Sequence, residues 1–126
     1  MTSVLTILST GHRATVEEQD DTAVWFAAMC AGDLEIDLLL TGSAVLYGVG
    51  SDAPPRLELA GRPAACPPHM SAEVARLIAR GVDVAYVEED ASEYGLDSAS
   101  FGAGLEPVPR REIAVLVDAH DLTWRF

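Results

Sequence analysis

Two short, nearly uninterrupted apolar runs constrain the fold of this chain most. Val4-Leu5-Thr6-Ile7-Leu8 leads into Ser9-Thr10-Gly11-His12, and Leu34-Glu35-Ile36-Asp37-Leu38-Leu39-Leu40 leads into Thr41-Gly42. A strand with one face in water alternates apolar and polar residues. A strand that is apolar at successive positions must be covered on both faces, which is the condition found in parallel sheets.

What lies between and after these runs fits that demand. Thr15-Val16-Glu17-Glu18 has the form of a capping box, so a helix opens there, and Gly32 suits the left-handed position just beyond its end. Ser43–Gly48 reads as a short helix. Residues 50–70, with Ala53-Pro54-Pro55, Gly61-Arg62-Pro63 and Cys66-Pro67-Pro68, read as a long excursion holding a short extended piece at Leu57–Leu59. Ser71 is placed to cap a second helix with Val74, Leu77 and Ile78 on one face, stopped by Gly81. Val82–Val87 is a third strand, followed by Glu88-Glu89-Asp90 and a helical turn over Ala91–Leu96. Leu105–Val108 is a short strand, Pro109 suits the start of a helix carrying Ile113, Leu116 and Val117, and Leu122–Phe126 is a final strand. Strands alternating with helices imply an α/β domain: a three-layer sandwich with a mostly parallel five-stranded sheet, helices on both faces and right-handed crossovers. At 126 residues the chain makes one domain, 1–126.

The first helix is apolar all round. Ala23-Val24-Trp25-Phe26-Ala27-Ala28-Met29-Cys30-Ala31 contains no polar side chain. A helix on one face of a small sheet needs one apolar stripe; a helix apolar on every side needs a second cover. Trp25, Phe26, Met29 and Cys30 are therefore the candidate subunit interface, and a homo-oligomer is expected. Cover from the chain's own 51–70 segment is the alternative.

Charge narrows the partners. With 20 acidic against 8 basic residues, a net charge of −12 opposes phosphate backbones and anionic lipid, so neither nucleic acid nor a membrane is expected as a partner. No stretch approaches the roughly 20 apolar residues of a membrane span. The Val4–Leu8 run is too short, and lacks the basic lead-in, for a secretory leader. Two cysteines, Cys30 and Cys66, make no disulfide framework and read as free thiols of a cytoplasmic protein.

The order of these pieces is similar to a known family. The Leu-Leu-Leu-Thr-Gly-Ser-Ala-Val-Leu segment, the helix ending in Ala79-Arg80-Gly81-Val82-Asp83-Val84, and the closing Ile113…Leu116-Val117-Asp118-Ala119-His120-Asp121-Leu122-Thr123-Trp124-Arg125-Phe126 together resemble the DsrE/DsrF-like (TusD-related) sulfur-relay proteins. The resemblance implies a DsrE-like sheet with helices on both sides, assembly as trimers or hexamers (a dimer being the simpler alternative), and persulfide transfer to a sulfur-relay or other protein partner in the active branches. It places the sulfur-carrying cysteine within the third strand. Here Val82-Asp83-Val84-Ala85-Tyr86-Val87 puts Ala85 or Tyr86 at that place. The chain thus reads as a divergent member that lacks the usual cysteine.

Two constellations could still carry chemistry. Open parallel sheets bind ligands beyond the carboxyl ends of their strands. Gly11 and His12, Thr41 and Gly42, and Glu88 and Glu89 fall there, and a histidine facing carboxylates suits acid–base work or ligand binding. Cys66, three residues before His69, is the candidate nucleophile: a nearby imidazole lowers a thiol pKa, whereas acidic surroundings raise it. A dinucleotide fingerprint, a phosphate loop, a Cys-x-x-Cys pair, a nucleophile elbow and zinc-ligand spacing are all absent, so no metal and no cofactor is expected. Three functions stay open: a non-catalytic binding or partner-interaction domain, sulfur transfer through Cys66, and small-molecule binding or acid–base chemistry at His12, Glu88 and Glu89.

Overall fold

In the computed structural model, which describes residues 1–9, 11, 21–50, 58–63 and 70–126, the two apolar runs are strands β1 (Ser3–Leu8) and β2 (Glu35–Leu40). A two-residue hairpin pairs β3 (Glu58–Leu59) with β4 (Arg62–Pro63). The later strands are β5 (Asp83–Val87), β6 (Leu105–Val108) and β7 (Leu122–Arg125). The main sheet has the order β6-β5-β2-β1-β7, and all four of its pairings are parallel. The helices are α1 (Asp21–Cys30), α2 (Met70–Ala79), α3 (Glu88–Glu93) and α4 (Ile113–Ala119). Three 3-10 turns join them, at Gly42–Gly48, Ser98–Ser100 and Arg110–Glu112. The capping box at Thr15–Glu18 lies outside the described residues.

Successive residues of β1 point to opposite faces, and both faces are closed. On one, Val4 and Leu8 join Leu38, Leu40, Val84 and Tyr86 under Val24 and Ala27 of α1 and Val74 and Leu77 of α2. On the other, Leu5, Ile7, Leu39 and Val87 lie under Ile113, Leu116 and Val117 of α4. The topology explains why α4 changes sides. From β1 to β6 the chain steps in one direction across the sheet, then returns to the far side of β1 as β7. A right-handed crossover running the opposite way has to lie on the opposite face.

Helix ends follow the glycines. α1 stops at Cys30, and Gly32 follows at positive φ, as the sequence predicts. At the end of α2, Gly81 donates to Ile78 O at 3.0 Å and Val82 to Leu77 O at 3.1 Å, the paired bonds of a Schellman turn. Two helix starts differ from expectation. α2 begins at Met70, so Ser71 sits inside its first turn, where its hydroxyl donates to Val49 O at 2.8 Å across to the preceding 3-10 turn. α3 begins at Glu88 rather than Ala91, because three acidic residues suit the positive end of a helix. Among the described residues no helix is long and apolar enough to cross a membrane.

Leu39 is fully buried at the centre of the α4-covered face, whereas Val115 on α4 is 65% exposed. Leu39→Ala should therefore cost about 2–5 kcal/mol, and Val115→Ala less than about 0.5 kcal/mol. Urea unfolding of the two variants beside the parent checks the contrast.

Candidate functional site

At the carboxyl ends of the strands, four segments are stitched together. Thr41, just past β2, donates its backbone N–H to Leu8 O at the end of β1 at 2.9 Å. Gly42 donates its N–H to Asp90 Oδ2 at 2.7 Å, and Gly11 donates its N–H to Ser43 Oγ at 2.8 Å. Arg110, just past β6, pairs its guanidinium with Asp90 Oδ1 and donates its backbone N–H to Glu89 Oε2 at 2.7 Å. The loops after β1 and β2, the first turn of α3 and the start of the 3-10 turn before α4 thus share one hydrogen-bonded cluster.

Both glycines are needed where they stand. Gly42 has φ +55°, and a Cβ there would lie 2.6 Å from the carbonyl oxygen of Ser9. A Cβ on buried Gly11 would lie 2.6 Å from the Tyr47 ring and 3.0 Å from Ala44 Cα. Close approach of backbone fixes Gly42, and close approach of the Tyr47 ring fixes Gly11.

The cluster changes the reading of the acidic run. Asp90 is almost wholly buried, with both carboxylate oxygens occupied, so it serves as a clamp. The hydrogen bond and charge of Asp90, with Glu89 and Glu93 adding to them, push the Arg110 pKa up and hold the guanidinium charged. Glu89 is spent on backbone, and Glu88 is exposed. Of the residues expected at this end, Gly11, Thr41, Gly42 and Glu89 are brought together, with Glu88 beside them. His12 and Cys66, the expected imidazole and thiol, lie outside the described residues. Ser43 and Arg110 went unsuspected in the sequence. Arg110 had a signal, since it stands two residues past β6 and so had to reach the same sheet end as the acidic run after β5.

The third-strand positions are plain as well. Ala85 is half-buried on the α4 side of the sheet. Tyr86 is buried on the opposite face, its ring stacked on Phe101 with centroids 3.7 Å apart and planes 9° apart. Burial, then the charges of Glu88 and Asp97, push its phenol pKa up, so the ring stays neutral. Among the described residues no group of three or more His, Cys, Asp or Glu could hold a metal ion.

The opposite end of the sheet holds a second polar arrangement. A cleft of about 420 Å³ has Glu35, Asp37, Asp83, Arg80 and His120 in its wall. Asp37 and Asp83 are register partners on adjacent parallel strands, so their side chains share a face. His120 closes the end of α4, its side chain only 8% exposed. Its Nε2 lies 2.6 Å from Asp37 Oδ2 and its Nδ1 lies 2.6 Å from Leu116 O. Both partners are acceptors, so the ring satisfies both only as the doubly protonated imidazolium. Burial opposes that charge, but the Leu116 carbonyl, Asp37 and Asp121 outweigh it and raise the pKa above its ordinary 6.5. Stability from this contact is complete below the unfolded value and is lost as pH rises through the folded one. The urea midpoint should thus fall more between pH 6 and pH 9 in the parent than in His120→Gln at constant ionic strength. Parallel pH curves for the two proteins would remove His120 from the account.

Solved structures share this architecture. The YchN protein of E. coli aligns with a TM-score of 0.80 at 16% identity, and a protein of unknown function, MTH1491 of Methanobacterium thermoautotrophicum, with 0.64 at 14%. Each alignment covers 100% of both chains. No family model matches the sequence, and no curated protein matches it. At this identity the likeness shows the fold alone, the three-layer arrangement with a mostly parallel five-stranded sheet expected from the sequence.

Proposed function

We propose that this chain is a divergent, non-catalytic member of the DsrE-like sulfur-relay group, a cytoplasmic binding domain that works as a homo-oligomer. The observation that carries the reading is the outer side of α1. Val24 and Ala27 are buried against the sheet, Phe26 stands edge-on to Trp124 at 4.8 Å, and Cys30 packs against the core. Trp25 and Met29, one helical turn apart, are left 58% and 61% exposed. Two large apolar side chains side by side on the surface are the composition of an interface core. The non-catalytic half of the reading rests on the third strand. Its Ala85 and Tyr86 carry no thiol where the resemblance implies one, and Tyr86 is committed to packing.

Light scattering tests the first half. The parent should be an oligomer at micromolar concentration, and Trp25→Glu with Met29→Glu should shift it to monomer. A monomeric parent ends the reading. Intact-mass measurement after exposure to a persulfide donor tests the second half. The expected result is no lasting sulfur adduct; an adduct that passes to an acceptor thiol and vanishes in Cys66→Ser would make the protein a sulfur carrier.

A further inference from the structure

α4 is held at both ends, and the two holds respond differently to pH. At its start the Arg110 guanidinium pairs with Asp90, and the Arg110 backbone N–H reaches Glu89 Oε2 at 2.7 Å. Asp90 keeps that guanidinium charged. Just past its end, Asp121 donates its N–H to Ser3 O at 3.1 Å and accepts from the Ser3 N–H at 2.9 Å. The bonds from Ser3 hold the Asp121 carboxyl below its usual range, so it stays ionised and keeps β7 seated on β1. Between these two anchors stands His120, and its hold depends on a proton.

The ring of His120 bridges α4 to β2. Nδ1 lies 2.6 Å from Leu116 O, in the last turn of its own helix, and Nε2 lies 2.6 Å from Asp37 Oδ2. Loss of one proton leaves a single N–H for two acceptors, and the other ring nitrogen then sets a lone pair against an oxygen. One of the two contacts has to lengthen. The surrounding charges set where this happens. Asp37 and Glu35 on β2, Asp83 on β5 and Asp121 ahead of β7 are acidic, and Arg80 after α2 adds one cation to the same cleft wall. Burial works against the imidazolium, but the Leu116 carbonyl, Asp37 and Asp121 outweigh it.

The cover that α4 provides is slight enough to feel the loss. The helix is seven residues long, too short to hold by itself. Its Ile113, Leu116 and Val117 are only partly buried, and Val115 is 65% exposed. Leu116 and Val117 lie in the turn that His120 closes.

We propose that His120 is a proton-operated latch: protonated, it fastens the last turn of α4 to β2, and on deprotonation that turn lets go while the Arg110 clamp and β7 stay in place. The device is independent of self-association. The tie is complete below the unfolded imidazole value of about 6.5 and is lost as pH rises through the higher folded value. Opening frees Asp37 into the cleft beside Asp83 and Glu35.

NMR on the whole chain tests the latch. Of the three histidines, His120 is the one whose ring signals vanish in His120→Gln. In the parent these signals should titrate above about 6.5. Amide protection over residues 116–120, corrected for intrinsic exchange, should fall severalfold through the same midpoint, while protection in β2 and β5 holds. In His120→Gln, which has no proton to lose, protection over 116–120 should stay level from pH 6 to pH 9. In Asp37→Asn the ring midpoint and the opening should move to lower pH together. The parent alone supplies both readings should either variant fail to fold. The latch is overturned by a ring that titrates at or below the ordinary value, by protection that stays level through the ring's titration, or by a fall spread over the whole sheet. The same fall persisting in His120→Gln, or an opening in Asp37→Asn that does not follow the ring, overturns it equally.

Discussion

β1 and β2 bury side chains on both faces, and this single requirement organises the rest of the molecule. Val4 and Leu8 lie under α1 and α2, while Leu5, Ile7 and Leu39 need a cover of their own. Parallel strands cannot be joined by tight turns, so each connection must cross a face, and the crossings become the cover. Three steps in one direction place α1 and α2 on the same side. Shelter for the other side requires a step in reverse, and the move from β6 back to β7 beside β1 supplies it with α4. The strand order is thus the consequence of covering two apolar faces with one short chain.

That economy leaves the second face thinly covered, and the ends of α4 show how the chain compensates. Ile113, Leu116 and Val117 are only partly buried over Leu5, Ile7, Leu39 and Val87. At its start Arg110 ties the segment to Glu89 and Asp90, and at its finish His120 ties it to Asp37. An isolated buried carboxylate is costly; one that accepts a backbone N–H and a guanidinium has that cost offset and gains a fixed geometry. Asp90 meets that condition at one end of the sheet. At the other, the half-buried Asp37 takes the imidazolium of His120, which also sits at the negative end of α4.

The fold was legible because its signals are local. Val4–Leu8 and Leu38–Leu40 are apolar at successive positions, Gly32 and Gly81 close their helices, and Pro109 precedes the 3-10 turn that leads into α4. Each of these depends only on near neighbours in the sequence. The site was legible only in outline. Gly11, Thr41, Gly42 and Glu89 could be assigned to one end of a parallel sheet because strand polarity puts them there. Their partners could not, since Ser43 and Arg110 depend on which loops are neighbours. His120–Asp37 was missed for the same reason: it joins residues 83 positions apart, and only the adjacency of β7 to β1 and β1 to β2 brings them near.

The clamp at the carboxyl end of the sheet works through α3. Arg110 holds that helix by its first turn, through Glu89 and Asp90, and in doing so decides which of its residues remain outward. Had Asp90 faced solvent, the helix would offer a diffuse acidic surface with no fixed orientation. With it buried, α3 is held in one orientation against the loop after β2 and the segment after β6. The same residue also fixes Gly42, and so the loop after β2. Through Asp90, the order of that whole end of the sheet draws on one buried carboxylate.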